Sequence, residues 1–561
     1  MLKQKYFLTD IFILSAEKQP IKLSWRKIEW LHQTITDNVH VYYLKRLSET
    51  KKYSSTFVLY CCMSITISRN GLIILSGFLA LYCFHRDVPL DFSMLWKGGV
   101  LGIIYILILS IPKRNTIIPF LVILWGLLES GVAILQKMHW LESNHHAFDV
   151  TGTFGNPGPL GGLTAVSFTL TLAGIYKAVN LNQHILIKIT YAMAGLTIAA
   201  GLTLSESRAA WLGVIVAVMW SMFQIQFFPH LIHKKKYVFL SVFIITSIIL
   251  CGLYSIRPQS ADGRLFIWYN TVRMIADYPL WGTGSGGWLA NYMYYQADFF
   301  VNHPDSIYQM LADDVIYPYN EYLLVITEHG LAGWLFLFFF FYEICKNGTV
   351  VENKYLIPSL MVFLIFCFFS YPMHLFRLQV LFICLLASLE RPCNCCVSLP
   401  TRIICIPLLL VSVLSFHLYR KSFSNGTSLY SYTCYNLELL EHYAEIDKEN
   451  SLKFWKQYSQ IYPNSKLYLE MGERWEEKKN LTKAEECYLT SSYMVPQFLD
   501  AKYKLFQIYC VRKDTLSAIK IGNQILKQKH KKVGTKTLRI KAEILDNLNR
   551  LNKNIDSIYS R

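Results

Sequence analysis

Polar side chains collect at the start of one strongly apolar segment. The stretch YNEYLLVITEHGLAGW, Tyr319 to Trp334, begins with Asn320 and Glu321 and runs into residues apolar enough to lie in lipid. A carboxylate beside an apolar wall can serve as a general base, because burial raises its pKa. We therefore predict that Glu321 belongs to a catalytic site together with its neighbours Tyr319 and Asn320.

Arginine side chains stand at other boundaries of the apolar segments. Arg208 begins one such segment, Arg264 lies early in a long polar loop, and Arg377 follows a short turn. Contact with lipid headgroups would explain Arg208 alone equally well. Several guanidiniums together instead predict a diphosphate-binding site, because each planar guanidinium can bind two phosphate oxygens. The glycine-rich stretch Gly282–Gly287, which includes Gly284, is expected to bring backbone amides to the same anion.

The composition indicates which elements must position these side chains. Of the 561 residues, 53% are hydrophobic and only 17% are charged, which is too apolar for an ordinary soluble protein. Apolar runs of bilayer-spanning length predict an all-α polytopic membrane domain over residues 55–420, with about eleven helices. The predicted spans are 56–84, 98–111, 115–137, 161–178, 187–205, 209–228, 237–256, 320–343, 355–371, 374–390 and 402–419.

Clusters of lysine and arginine predict the orientation of these helices, because short basic loops stay in the cytoplasm. Such clusters occur in residues 1–54, in the turn Pro112–Arg114 and around His233–Tyr237. The loops then expected on the outer face are 138–160, 257–319 and 371–374. An odd number of spans also places the C-terminal tail outside. The net charge of +17 thus reflects topology, and no nucleic-acid partner is expected.

The tail, residues 430–561, changes to a mixture of charged and apolar residues with helical spacing. An offset of about 34 residues aligns Lys466–Pro496 with Asp500–His530. With this period, Gly472, Ala484, Tyr488 and Pro496 resemble the corresponding residues of a tetratricopeptide repeat. An α-solenoid that binds a protein is therefore predicted, with flanking helices at 437–461 and 536–549, and a generic helical tail is the alternative.

The order of motifs resembles the O-antigen ligase and polymerase superfamily, which includes bacterial protein O-oligosaccharyltransferases. The motifs are SESRAAWLG, then GRLFIW and PLWGTGSGG in a long loop, then an Asn-Glu pair that begins the next span, and a C-terminal solenoid. The resemblance is strongest over residues 150–380. Asn320, Gly330 and Gly333 match the family's loop motif, but Tyr319 occupies the position where the family often has a histidine.

The resemblance implies a glycosyltransferase whose donor is a glycan on a polyprenyl diphosphate. Arg208 and Arg264 would bind the diphosphate and stabilise its charge as it leaves, so neither a metal nor a cofactor is expected. A base would deprotonate the hydroxyl of a glycan, lipid or protein acceptor. With tyrosine at position 319, the candidates for this base are Glu321, His303 and His374.

Two other functions are compatible with this layout. A polymerase of the same superfamily would lengthen the glycan instead of transferring it to another acceptor. A membrane transporter with a partner-binding solenoid would place ionisable residues at mid-membrane. The predicted spans carry few such residues, and the charged side chains collect on one outer face, which favours an enzyme.

Overall fold

The structure is a computed structural model that describes residues 64–68, 92–111, 113–224, 252, 258–348, 356–389, 396–400, 408–417, 437–528 and 534–559. All of them belong to one compact unit, Ser64–Arg561. The predicted cytoplasmic segment 1–54, the basic loop His233–Tyr237 and, except for residue 252, the span at 237–256 lie outside the described residues.

The membrane part consists of apolar helices with a helical insertion at residues 258–310. In chain order its elements are β1 (Ser64–Ser68), α1 (Phe92–Ser110), α2 (Arg114–Lys137), α3 (Pro157–Asn180), α4 (Ile185–Leu204), α5 (Arg208–Gln224), α6 (Pro258–Asp277), α7 (Gly287–Asn302), a 3₁₀ turn (Ile307–Met310), α8 (Glu321–Gly348), α9 (Ile357–Phe369), a 3₁₀ turn (Pro372–His374), α10 (Phe376–Leu389), β2 (Cys396–Pro400) and α11 (Leu408–His417). The predicted loop 257–319 is thus largely helical.

Four of the described helices are long and apolar enough to cross a membrane. They are α2, α3, α4 and the part of α8 from Glu321 to Tyr342. Helices α5, α9, α10 and α11 and the apolar part of α1 are shorter. The apolar helices indicate an integral membrane protein, while the predicted count of eleven spans stays a prediction.

The described fold is helical, as predicted, apart from a short two-stranded ribbon. Strands β1 and β2 pair antiparallel, with Ser64 opposite Pro400 and Ser68 opposite Cys396. Strand β1 lies inside the predicted span 56–84, so that part of the prediction is wrong. The β1 sequence, SITIS, alternates serine with β-branched residues, which favours an extended backbone. Its partner is more than 300 residues away in the chain, so hydropathy alone does not reveal the pairing.

Small residues allow the membrane helices to approach one another closely. A Cβ atom added to Gly126 on α2 would lie 2.3 Å from the side chain of Ser167 on α3, and one on Gly201 of α4 would lie 2.3 Å from Ser130. The hydroxyl of Ser167 also donates to the carbonyl of Val122 at 3.0 Å. Lipid supplies no hydrophobic force between helices, so close backbone packing of this kind stabilises the bundle.

The helical tail, defined here as residues 437–559, contains seven described helices. They are α12 (Leu437–Ile446), α13 (Ser451–Ser459), α14 (Ser465–Glu477), α15 (Leu481–Met494), α16 (Leu499–Val511), α17 (Thr515–Lys527) and α18 (Thr535–Tyr559). Helices α14 and α16 begin 34 residues apart (499 minus 465), as do α15 and α17 (515 minus 481). A Cβ on Gly472 would lie 2.3 Å from the ring of Tyr488. The assignment to tetratricopeptide repeats remains a prediction.

Candidate active site

Two arginines and a tyrosine meet where α6 passes the start of α8. The guanidinium carbon of Arg264 lies 5.4 Å from the centre of the Tyr319 ring. Burial lowers the pKa of Arg264; interaction with Tyr319 raises this pKa again, and the nearby charge of Arg208 lowers it. Arg208 is therefore close enough to repel Arg264. An anion bound between two such guanidiniums would relieve this repulsion.

Arg208 reaches this position because a tight turn precedes α5. The Ser205 hydroxyl accepts the Ser207 amide at 3.3 Å, and Glu206 has a positive φ of 49°. A Cβ on Gly161 of α3 would lie 2.4 Å from the Cβ of Ser207. Only a glycine at position 161 therefore lets the turn pack against α3, which sets the point where α5 begins.

The loop that carries Tyr319 is held in an uncommon conformation. Tyr319 has φ 55°, which is rare for a residue with a bulky side chain and typical of strained functional positions. The indole Nε1 of Trp268 donates to the Pro318 carbonyl at 2.9 Å. The Asn320 side-chain oxygen accepts the amides of Tyr322 and Leu323 at 3.0 and 3.1 Å. Asn320, predicted as catalytic, is thus the N-cap of α8.

Glu321 and His374 come together at the other end of the site. The Oε1 atom of Glu321 lies 3.5 Å from Nδ1 of His374 and accepts the Met373 amide at 2.7 Å. The Gln379 amide holds the same turn by donating to the Met373 carbonyl at 2.5 Å. Glu321 is 8% exposed, whereas His374 is exposed. Among the described residues the ion-pair partner of Glu321 is this histidine and not an arginine.

Aromatic rings connect the arginines with the Glu321–His374 pair. The rings of Tyr317 and Tyr371 stack with centroids 4.3 Å apart and an interplanar angle of 9°. Tyr371 also meets Tyr319 edge-on at 5.4 Å, and Tyr317 packs 4.6 Å from the His374 ring. Sequence reasoning missed Tyr317 and Tyr371. They could have been found because Tyr317 lies two residues before Tyr319 and Tyr371 lies three residues before His374, in the two loops predicted to face outward.

Burial raises the pKa of Tyr317, Tyr319 and Tyr371, most strongly for Tyr371. The charge of Glu321 raises the pKa of Tyr317 further, whereas interaction with Arg264 opposes the increase at Tyr319 and Tyr371. All three hydroxyls therefore stay protonated at neutral pH. They are available as hydrogen-bond donors to oxygen atoms of a ligand.

Helix α8 is interrupted at Gly330, and the glycine-rich loop supplies hydrogen-bond partners at this break. Gly330 is non-helical, with φ 57° and ψ −148°. The Leu331 amide, which cannot bond to the Thr327 carbonyl across this break, donates to the Pro279 carbonyl at 3.0 Å. The Thr327 carbonyl accepts the Thr283 amide at 2.9 Å instead. A broken helix in an apolar environment is tolerated only when its backbone groups find such partners.

Two further amides of this loop bond to Glu328 of α8. The Gly284 amide donates to the Glu328 carbonyl at 2.8 Å, and the Gly286 amide donates to Oε1 of Glu328 at 2.9 Å. The Ser285 hydroxyl lies 3.5 Å from Nε2 of His329. These bonds correct the expectation for Gly284, because the loop supports the helix break and does not present these amides to an anion.

Comparison with protein-family models matches residues 193–338 to the O-antigen ligase family. Residues 193–338, termed here the O-antigen ligase domain, are therefore similar to that family. Members of the family are glycosyltransferase-like enzymes. No curated protein and no solved structure matches the chain.

The O-antigen ligase domain contains both arginines, Tyr319, Glu321 and the glycine-rich loop, whereas His374 follows it in the chain. The histidine beside Glu321 therefore comes from a different segment than the one in which the family motif places a histidine. An imidazole therefore lies beside Glu321 although Tyr319 occupies the motif position.

Arg377 also lies beyond the O-antigen ligase domain, and it anchors a loop. Its Nη1 donates to the Thr153 carbonyl at 3.0 Å and to the Thr153 hydroxyl, and its guanidinium lies 5.3 Å from the Phe154 ring centre. The buried carboxylate of Glu129 accepts the Thr153 amide at 2.9 Å and its hydroxyl at 2.6 Å. No described contact joins Arg377 to Arg208 or Arg264, so its direct role at a diphosphate stays a prediction.

His303 is placed away from the other candidates. It is the C-terminal cap of α7, its Nδ1 lies 3.1 Å from the Phe299 carbonyl, and its ring stacks on Phe299 at 4.6 Å. No described contact joins His303 to either arginine or to Glu321. The described residues also contain no group of three His, Cys, Asp or Glu side chains arranged to hold a metal.

Proposed function

We propose that the chain transfers a glycan from a polyprenyl diphosphate to an acceptor hydroxyl at the outer face of the bacterial inner membrane. The observation that carries the proposal is the Arg208–Arg264 pair beside Tyr319. The two like charges lie close enough to repel each other near the start of an apolar helix, and a bound anion would relieve that repulsion. A diphosphate on a lipid fits both the positive charge and the apolar surroundings.

The reaction would use the two ends of the site in different roles. The acceptor oxygen attacks the anomeric carbon of the glycan, and the bond between that carbon and the diphosphate oxygen breaks with its electron pair. Arg208 and Arg264 stabilise the negative charge on the leaving diphosphate. The tyrosine hydroxyls can donate hydrogen bonds to the sugar or to the diphosphate.

The acceptor proton would go to the Glu321–His374 pair. Glu321 is buried and accepts the Met373 amide, whereas the ring of His374 is exposed. We therefore assign proton acceptance to Nε2 of His374, with Nδ1 directed at Glu321. The carboxylate would orient the ring and stabilise the imidazolium that forms, as in other carboxylate–histidine pairs. The general base in this proposal is therefore His374 and not Glu321, which the sequence favoured slightly.

The test is transfer by the purified full chain, supplied with lipid-linked glycan and candidate acceptors. The expected result is a new glycan–acceptor bond with release of polyprenyl diphosphate, and cells without the protein should accumulate the lipid-linked glycan. A single addition to the acceptor would identify a ligase, and a ladder of glycan lengths would identify a polymerase. Movement of the lipid-linked glycan across the bilayer without a new bond would contradict the proposal and favour the transporter.

A further inference from the structure

We propose that Asp314 is a positioning residue, which clamps the helical tail to the loop that carries Tyr319. The inference rests on the proposed function, and it makes the tail a part of the active-site wall in addition to any role in binding a protein partner. Its basis is a set of hydrogen bonds and apolar contacts between segments more than 150 residues apart.

The loop Leu311–Asn320 has no regular secondary structure, so its conformation depends on contacts from other elements. Within the O-antigen ligase domain, Trp268 holds the Pro318 carbonyl and Nε2 of Gln296 donates to the Asp313 carbonyl at 3.1 Å. The same Gln296 nitrogen donates to the Met494 carbonyl of the tail at 2.7 Å. Gln296, which is fully buried, therefore joins loop and tail.

Asp314 makes the most direct link between the loop and the tail. Its Oδ1 accepts the Ser465 amide at 2.7 Å and its Oδ2 accepts the Ser465 hydroxyl at 2.7 Å. Ser465 is the first residue of α14, where an amide has no partner within the helix and where the helix dipole favours a negative charge. Burial raises the pKa of Asp314, and the two bonds from Ser465 oppose that increase. The buried carboxylate is thus matched to this helix end.

Apolar contacts extend the same link to Tyr319. Met494 and Val495 of the tail pack in one cluster with Trp288 and Met293 of α7, and the Tyr319 ring packs against this cluster. The Tyr294 and Tyr468 hydroxyls lie 2.9 Å apart at its edge. The tail therefore supports both the backbone before Tyr319 and the side of its ring, and Tyr319 in turn lies under Arg264.

The test compares Asp314→Ala, Ser465→Ala and Lys536→Ala in the full chain. Lys536 forms an exposed ion pair with Asp500 at 2.8 Å within the tail, so Lys536→Ala controls for general weakening of the tail. Displacement of a catalytic loop should lower kcat of Asp314→Ala about 10- to 100-fold. Ser465→Ala keeps the backbone amide that donates to Asp314, so its kcat should fall only about 2- to 10-fold. Lys536→Ala should match wild type. Tyr319→Phe should add little to Asp314→Ala, because both changes act through one loop.

Hydrogen exchange of the peptide 311–320 provides a readout that does not depend on transfer. Asp314→Ala should accelerate exchange there, and Lys536→Ala should not. If Asp314→Ala keeps the wild-type kcat while Arg264→Ala is inactive, the clamp is refuted and the proposed function stands. If wild type transfers no glycan, the proposed function fails, and the exchange result alone decides the clamp. If Asp314→Ala does not accumulate, Ser465→Ala decides: unchanged kcat and exchange would refute the clamp.

Discussion

The guanidinium of Arg264 and the ring of Tyr319 face each other, with 5.4 Å between the guanidinium carbon and the ring centre. A contact of this kind attracts the cation to the face of the ring. The Trp268–Pro318 bond joins the same two elements. The orientation of Arg264 and the conformation of the Tyr319 loop are therefore set together.

Arg264→Ala and Arg208→Ala should each reduce transfer about 10²- to 10³-fold, the loss typical of removing one group that stabilises developing charge. Lysine should restore little at either position, because an ammonium can neither stack flat on Tyr319 nor bind two phosphate oxygens. The matched control is Arg273→Ala on the same helix, since Arg273 pairs with Asp298 at 2.6 Å. Full activity of both lysine variants would remove the main support for a diphosphate site.

The Glu321–His374 pair can be tested by the pH dependence of kcat. His374→Ala should lower turnover about 10²- to 10⁴-fold, as for loss of a general base. Glu321→Gln keeps an acceptor for the Met373 amide but loses the charge beside the imidazole. Its turnover should therefore fall less than that of His374→Ala. The limb of the pH–rate profile that reports the base should vanish in His374→Ala and remain in Glu321→Gln. A limb that vanishes only in Glu321→Gln would return the role of base to the carboxylate.

Three buried tyrosines are expected to act as donors and not as bases. The pKa of Tyr317, Tyr319 and Tyr371 in the folded protein is above the ordinary value of about 10. The stabilisation that accompanies a raised pKa is present below about pH 10 and is lost as the pH rises further. Wild type and Tyr319→Phe should therefore show pH–rate profiles of the same shape between about pH 7 and 9. An alkaline limb that is present in wild type and disappears in Tyr319→Phe would show that this tyrosine ionises at a lower pH than expected.

Arg377→Ala and Thr153→Val separate two roles for Arg377. If the arginine anchors the loop through Thr153, both variants should lower transfer by a similar factor, and their double variant should lose little more. If Arg377 also binds the diphosphate, Arg377→Ala should raise KM for the donor well beyond the effect of Thr153→Val. Donor titrations of the two variants at one acceptor concentration provide the measurement.

Gly330→Ala should destabilise the protein by about 1–3 kcal/mol or more, because its backbone conformation is almost restricted to glycine. A Cβ there would also lie 2.4 Å from the backbone carbonyl of Leu280. Gly131→Ala on α2 is the control, since nothing lies within 4 Å of its added Cβ, and it should be neutral or stabilising. Thermal unfolding in one detergent compares the two. Equal midpoints would show that the break in α8 is not required.

Part of the arrangement around the candidate site could be predicted from the sequence. Arg208, Arg264 and Arg377 were predicted to bind one diphosphate; the structure places Arg208 close to Arg264 and Arg377 on Thr153, and the binding of a diphosphate stays a prediction. The sequence predicted α8 as an uninterrupted apolar helix, and the break at Gly330 became visible only with its partners in the 279–284 loop. Tertiary contacts of this kind leave no periodic signal.

Contacts between distant segments could not be predicted from the sequence. The cap that Asn320 forms on α8 is local, and the catalytic role of Asn320 stays a prediction. Glu321 and His374 were separate candidates for the base, and a 3₁₀ turn more than 50 residues later joins them. The contact between Asp314 and Ser465 crosses from the membrane part to the tail, and neither residue belongs to a recognisable motif.

At the break in α8, hydrogen bonds to the 279–284 loop replace bonds within the helix, and this affects how the helix can enter the membrane. Residues 279–284 leave the ribosome before Thr327 and Leu331, so the segment that completes the helix is synthesised before the helix itself. A membrane insertion machinery that accepted α8 alone would have to place unpaired amides and carbonyls in lipid, at a cost of several kcal/mol each. We therefore expect α8 to enter the bilayer already joined to the preceding loop, as one inserting unit. A chain severed between Asn302 and Tyr319 should then assemble only when both fragments are made together.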